Sequence, residues 1–370
     1  FVLDPQGEFA KIKADSKMLD ILEKLGKRPK IYGLHNLVLS GNTLFKKVLS
    51  LSGFLDELGI VHEDNKARAA NQIDMMLQGR HPIVSTKGAI PPWDFHKREV
   101  FNLIWEALKT DQVLIRIYST KDLMERVRST LQSADQEYMY KLWKSTALLF
   151  TYKQGTESVE IKKLTKGVIE AANGQIIIID LSDVNVPTDT LWNDRIRMIV
   201  INEFLQSLSN EAQYVYKEGN SLNTLVVIDE AHRLAPREPQ NNVELETIKT
   251  TLKDAVRTTR KFGLGWMFIS QTLSGLDREI INQLRIYVFG FGLAYGTELQ
   301  GLREIIGGND EAIRLYQLFK DPQSNPHQKE YSFMTIGPTS PLSFSGIPLF
   351  FQALSYPDSF IKDNISTFSG

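Results

Sequence analysis

The 370-residue sequence contains no cysteine, which excludes disulfides, cysteine-ligated zinc and thiol catalysis and fits a cytosolic protein. Neither sign of charge is in excess: 43 Lys plus Arg stand against 44 Asp plus Glu, with a pI near 6.7. A global basic footprint for nucleic acid is therefore missing, and any DNA contact must come from a local stripe, such as the lining of a ring channel. No apolar run reaches membrane-spanning length. Internal repeats and low-complexity tracts are absent as well. What remains is a chain long enough to bury a large core, as one α/β domain with an insertion or as two smaller domains.

Residues 223–237, NTLVVIDEAHRLAPR, are the most informative stretch. A short apolar, β-branched run, Thr224–Ile228, ends in two adjacent carboxylates, Asp229 and Glu230. A buried parallel strand whose C-terminal end carries chemistry reads this way. It is the form of a Walker B strand, in which the first carboxylate holds Mg²⁺ through water and the second polarises the water that attacks a γ-phosphate. An apolar strand closing in a simple acidic turn has the same pattern, so the rest of the chain must decide between them. His232, alone in the turn that follows, is expected to be structural.

Residues 1–4, FVLD, form an apolar stretch closed by Asp4, and Pro5-Gln6-Gly7-Glu8 turns away from it. This supplies a second strand-end carboxylate. Helical spacing then dominates 45–60, 66–77, 100–108, 121–131 and 137–149, with Gly88 and Pro91-Pro92 dividing the region. A mostly helical insertion is expected over 31–165, with Trp93, Trp105 and Trp143 as core anchors. After Gly167 an α/β rhythm returns. The pattern predicts a strand at 175–180 closed by Asp180, a helix at 191–208, a loop at 210–221 and, beyond the 224–228 strand, a helix at 243–262. Asn241 or Asn242 suits the start of that last helix, and Lys261 with Gly263 suits its end. Strands at 265–270, 286–291 and 331–336, a helix at 297–306 and a surface loop at 321–326 complete the reading. Alternating helices and nearly continuous apolar strands predict a mainly parallel sheet covered on both faces.

Two further features join the carboxylates. Arg257 and Arg260 stand three apart near a helix end, on one face, where they can reach outward together. Ser270-Gln271-Thr272 closes the next strand. In order and spacing, over roughly 1–20 and 170–345, these phrases resemble the HerA group of hexameric translocases. DPQGE resembles the DPHGE that follows the P-loop helix there, RTTRKFGLG resembles REGRKFGLG, and SQ matches the end of the sensor strand. The helical insertion also matches that layout.

The resemblance implies a RecA-like (ASCE) P-loop NTPase core made of 1–30 and 166–345, interrupted by 31–165 and followed by a C-terminal segment, 346–370. It implies ATP and Mg²⁺ held between adjacent subunits of a homohexameric ring. Asp229 would hold the metal, Glu230 would activate water, and Gln271 would touch both a γ-phosphate oxygen and that water. Asp4 would hold the water shell of the metal or tie the phosphate loop to the sheet. Arg257 and Arg260 would reach a neighbour's γ-phosphate, an arrangement that contributes ~10³–10⁵ in rate. Duplex DNA in the central channel is implied too, as is an effector: a NurA-type nuclease in repair, or a sirtuin-like or nuclease effector in antiphage defence.

The phosphate cradle itself, G-x-x-x-x-G-K-[ST], with its backbone N–H groups, lysine and magnesium-ligating hydroxyl, fits nowhere in the 370 residues. In the HerA layout it lies just before Phe1, and a segment there is expected to carry it. The DEAH letters at 229–232 point instead to two-domain helicases, but the QRxGRxGR and SAT motifs of that family are missing. Two rival readings stand: a ring-forming scaffold that organises an effector with little or no nucleotide binding, and a conjugation or packaging ATPase of the same superfamily.

Overall fold

The structure, a computed structural model, describes residues 1–10, 22, 26–27, 29–84, 88–152, 157–170, 175–324, 331–339, 346–353 and 362. Its strands are β1 (Val2–Asp4), β2 (Lys30–Tyr32), β3 (Leu37–Val38), β4 (Val159–Glu160), β5 (Ile177–Asp180), β6 (Thr224–Ile228), β7 (Leu264–Phe268), β8 (Tyr287–Phe289), β9 (Tyr331–Ile336) and β10 (Leu349–Ala353). Its helices are α1 (Asn42–Leu51), α2 (Phe54–Glu57), α3 (Glu63–Leu77), α4 (Arg98–Leu108), α5 (Asp111–Ile117), α6 (Lys121–Ser133) and α7 (Gln136–Ala147). They continue with α8 (Ile161–Glu170), α9 (Asp194–Lys217), α10 (Val243–Thr258), α11 (Arg278–Gln283), α12 (Gly296–Ile305) and α13 (Asp310–Gln317).

Five strands form a sheet in the order β2-β5-β1-β6-β7. Parallel pairing sets Leu3 opposite Ile228 and Ile228 opposite Phe268. Side chains alternate across a strand; on one face Leu3, Val226 and Ile228 are fully buried, while Trp266 and Phe268 beside them are half-buried. The expected cover on both faces is met at β5, where consecutive Ile177, Ile178 and Ile179 are all buried, and falls short on the second face at β6 and β7, where Leu225 is 50 % and Met267 49 % exposed. The expected parallel arrangement also stops short of the C-terminal strands. β8, β9 and β10 pair antiparallel in a separate sheet, with Tyr287 opposite Ile336 and Leu349 opposite Thr335. β10 is exposed from Phe350 to Ala353, and an antiparallel sheet tolerates a solvated face where a parallel one does not.

The chain divides into two compact units. The first is Phe1–Lys30, Gln175–Ile177 and Ala212–Gly370, and the second is Ile31–Gly174 and Ile178–Glu211. The second unit is helical and has an aromatic centre. In α4, Val100, Phe101, Ile104, Trp105 and Leu108 fall at helical spacing and are all buried. Phe101 stacks on Trp105 at 5.5 Å between ring centroids, while Phe45 meets Phe95 at 4.8 Å and Phe150 at 5.2 Å. Trp143 is fully buried and donates its indole N–H to Phe95 O at 2.7 Å, which satisfies the one polar atom that burial would otherwise orphan. Trp93 departs from the expected anchoring role. It sits in the short 3₁₀ turn Pro92–Asp94, off any helical stripe, and is 50 % exposed.

Helix ends differ from the sequence pattern where packing extends or tightens the chain. The helix expected at 191–208 is α9 and runs on to Lys217, through residues expected to be a loop. Ala212 is fully buried and continues the Phe204, Leu205 and Leu208 stripe, and the chain meets no helix breaker before Gly219, at φ 80°. At the other extreme, α10 gives way to a 3₁₀ turn over Thr259–Phe262, closed by Gly263 at φ 80°. Asn242 caps α10, its Oδ1 accepting the Leu245 N–H at 3.0 Å. Of the loop expected at 321–326, residues 325 and 326 lie outside the described residues, as do most of 354–370 and all of 11–20.

Candidate functional site

The site lies in the first unit, at the C-terminal ends of β6 and β7. The ladder runs one residue past β6, where Asp229 N–H donates to Leu3 O at 3.3 Å. Glu230 then adopts φ 48°, ψ 42°, a left-handed conformation that a non-glycine residue enters at a cost of ~1–2 kcal/mol. This turn places the Glu230 N–H on Asp229 Oδ1 at 3.0 Å and opens the 3₁₀ turn Ala231–Arg233. Ala231 N–H donates to Ile269 O at 2.9 Å, which locks the turn to the end of β7.

Glu230 is 7 % exposed, and its carboxylate is surrounded. Gln271 donates from Nε2 to Oε1 at 2.7 Å. On the other oxygen, Oε2, His232 Nε2 stands at 3.5 Å and Arg233 Nε at 3.8 Å. Ser270 gives its only hydroxyl hydrogen to Thr272 O at 2.7 Å, so at the 3.1 Å contact between His232 Nδ1 and Ser270 Oγ the histidine is the donor. A neutral His232 ring therefore turns the lone pair of Nε2 towards Glu230, and only the doubly protonated ring can donate to it. His232, expected to be structural, thus touches the carboxylate.

Asp229 is 7 % exposed. Burial raises its carboxyl above the ordinary range, the Glu230 N–H pulls it back, and the negative charges of Glu230, Glu8 and Asp4 push it up again. Oδ2 has no hydrogen-bond partner among the described residues. Asp4 departs from one of the two roles implied for it, that of holding the metal's water shell. It is fully buried, and it accepts the N–H groups of Gly7 at 2.8 Å and Glu8 at 3.0 Å on Oδ1, and those of Phe9 and Ala10 at 2.9 Å each on Oδ2. A carboxylate has about four acceptor sites, and all are taken by the turn. Asp4 ties this turn to the end of β1 and has no acceptor left for a metal-bound water.

The fold brings Asp229, Glu230 and Gln271 together. Arg257 and Arg260 lie elsewhere: Arg257 is in the last turn of α10, exposed and paired with Asp254 at 2.8 Å. Arg260 is exposed in the following 3₁₀ turn, without an ion-pair partner among the described residues. Asp180, at the end of β5, accepts from Ser182 N–H at 3.0 Å, Ser182 Oγ at 2.7 Å and Asn185 Nδ2 at 2.6 Å. Those bonds make it a turn cap.

No group of three or more ligating side chains occurs among the described residues. Mg²⁺ needs no such cage, since it keeps several waters and binds through one or two carboxylates plus substrate phosphates. Asp229, with Oδ2 open among repelling carboxylates, fits that mode of binding.

No family model matches the chain, and no curated protein matches it in sequence. Among solved structures it is similar to the genome packaging NTPase B204 from Sulfolobus turreted icosahedral virus 2. With the complex of that protein with ATP-gammaS the identity is 15 %, over 51 % of this chain and 71 % of that one, at a TM-score of 0.32. The AMP complex matches at 14 % over the same shares with a TM-score of 0.32, and the sulfate complex at 13 %, over 51 % and 70 %, with a TM-score of 0.31. The strand pairing above defines the class independently: an α/β protein with a mostly parallel central sheet.

Proposed function

We propose that the chain is a nucleotide-hydrolysing motor subunit of the HerA/FtsK superfamily, built on a RecA-like P-loop NTPase core. The observation that carries this reading is the pairing of buried Glu230, at the end of one parallel strand, with Gln271, at the end of the next. Phosphoryl transfer to water needs a nucleophile held in line and charge stabilised around the γ-phosphate. Glu230 supplies an acceptor for a hydrogen of the attacking water. Gln271 supplies an N–H donor and a carbonyl acceptor on one side chain, which suits a group that orients water against a phosphate oxygen. Mg²⁺, held by Asp229, would neutralise charge on the phosphate oxygens.

The exposed Arg257 and Arg260 suit action in trans. On this reading they reach the nucleotide of an adjacent subunit in a homohexameric ring that moves duplex DNA and works with a nuclease or other effector. The deciding experiment is ATP hydrolysis by the full-length protein, with and without duplex DNA, alongside mass photometry in the presence of nucleotide. Hydrolysis stimulated by duplex DNA in a six-subunit species is the expected result. Absence of hydrolysis removes the motor reading and favours the effector scaffold. A monomer removes the ring, and indifference to duplex DNA removes the translocase.

A further inference from the structure

Gln271 heads a loop that runs from the end of β7 to Leu276. Two consecutive N–H groups of that loop, two and three residues after Gln271, converge on one carboxylate, Glu298, in the first turn of α12. Leu273 N–H donates to Glu298 Oε2 at 2.7 Å, and Ser274 N–H donates to Oε2 at 3.1 Å and to Oε1 at 3.3 Å. The Ser274 hydroxyl also donates to Oε1. Leu273 packs against the cluster formed by Leu302, Ile306 and Tyr316. A Cβ at Gly301 would come within 3.2 Å of Leu273 Cδ2, so the glycine on the next turn of α12 leaves the room that Leu273 fills. Further along, Arg237 N–H donates to Gly275 O and Asp277 N–H donates to Ala235 O, each at 2.9 Å, which ties the loop to the segment after Glu230.

We infer that Glu298 is a positioning residue for Gln271. It fixes the loop so that the amide reaches Glu230, and it links that contact to α12 and the β8–β10 sheet packed beneath it. Nothing in the turn itself explains the arrangement. An acidic residue in a first helical turn ordinarily faces its own helix's free N–H groups, whereas Glu298 takes those of another segment. Charge-assisted bonds to backbone N–H groups are the strong kind, and three N–H contacts to one carboxylate leave the loop little freedom. The inference rests on the reading of Glu230 as the group that activates water.

The test is a double-mutant cycle on the full-length protein, following kcat and KM for ATP hydrolysis. Glu298→Ala is expected to lower kcat by about 10–100-fold, as misplacement of a catalytic group by about 1 Å does, with KM near the wild-type value. In a Gln271→Ala background the same substitution should change kcat by less than about twofold, because the group it positions is gone. Glu298→Gln, which keeps an acceptor oxygen, should recover most of the loss. Equal fold-losses in both backgrounds, or an unchanged kcat in Glu298→Ala, would overturn the inference while the motor reading stands. A wild-type protein without ATP hydrolysis would overturn both. Should Glu298→Ala not fold, Glu298→Asp, whose shorter side chain draws the carboxylate back from the loop, carries the test by hydrogen exchange. Faster exchange at the Leu273 and Ser274 amides together with reduced kcat supports the inference, and faster exchange with wild-type kcat overturns it.

Discussion

Gln271 Nε2 holds Glu230 Oε1 at 2.7 Å, so the amide at the end of β7 engages the carboxylate at the end of β6. Their strands are neighbours in one parallel ladder, with Ile228 opposite Phe268. The proposed base is therefore not free in this structure. One oxygen is bonded to Gln271, and the other faces His232 and Arg233.

Glu230→Gln follows directly from that geometry. The amide keeps an acceptor oxygen for Gln271, so the turn should fold, but it cannot take up a proton as a carboxylate does. Turnover by the full-length protein should fall by about 10²–10⁴, the usual contribution of a general base. Nucleotide binding, followed with a fluorescent ATP analogue, should persist. A variant that hydrolyses at the wild-type rate would remove Glu230 from the role.

Arg257→Ala and Arg260→Ala test action across an interface. Both side chains are exposed at the end of α10, and the Asp254 pair of Arg257 is a surface i,i+3 contact, worth little to stability. Either substitution should leave the melting temperature and the assembly state seen by mass photometry at their wild-type values, while lowering turnover towards the ~10³–10⁵ loss typical of a missing arginine finger. Mixing Arg257→Ala or Arg260→Ala subunits with Glu230→Gln subunits should restore part of the activity, since a mixed interface then holds one intact set of groups. A variant that retains full turnover would place its arginine outside the reaction.

The central strand and its carboxylates were legible because both signals are local: an apolar β-branched run, then charge. The capping of α10 by Asn242 and its close at Gly263 were legible for the same reason. The continuation of α9 was not, because 209–217 is mostly polar and its one fully buried side chain is the small Ala212. β3 and β4 have two residues each, too short for any period. The antiparallel pairing of β8 to β10 depends on partners distant in sequence, and α13 follows Gly307-Gly308 closely enough to read as a turn. At the site, Asp229, Glu230 and Gln271 could be found by their places at strand ends. Glu298 could not, because its partners lie on a segment 24 and 25 residues earlier and nothing in its own surroundings marks them.

Asp229→Asn should stabilise the protein at neutral pH in the absence of Mg²⁺. The Asp229 carboxyl is raised by burial and by the charges of Glu230, Glu8 and Asp4, against the pull of the Glu230 N–H. A folded-state pKa above the unfolded value gives stability that is present below the unfolded pKa and lost as pH rises through the folded one. At pH 7 the wild type therefore carries an electrostatic penalty that the amide removes. Melting curves at pH 7 should place Asp229→Asn above the wild type, and the gap should close as pH falls below the ordinary carboxylate range. A lower melting temperature for the variant at pH 7 would mean that the carboxylate cluster is not a cost to the fold.

Gly263→Ala should destabilise the protein through the backbone. Gly263 stands at φ 80°, and an added Cβ would collide with Ser221 Oγ and lie 2.9 Å from the main-chain nitrogens of Leu222 and Asn223. The serine hydroxyl can swing away, but the two nitrogens belong to the segment that leads into β6 and cannot. That segment is also bonded to the glycine's own turn, with Leu222 N–H on Phe262 O at 2.9 Å and Thr224 N–H on Gly263 O at 3.0 Å. Relief of the clash must therefore stretch bonds that set the register of β6 against β7, where Thr224 faces Leu264. A loss of about 1–3 kcal/mol in urea denaturation is expected from the strain and the clash together. Because Glu230 and Gln271 sit at the far ends of those same strands, turnover should fall in Gly263→Ala even at temperatures where the protein remains folded. A variant as stable as the wild type would show that the turn can open without moving the strands.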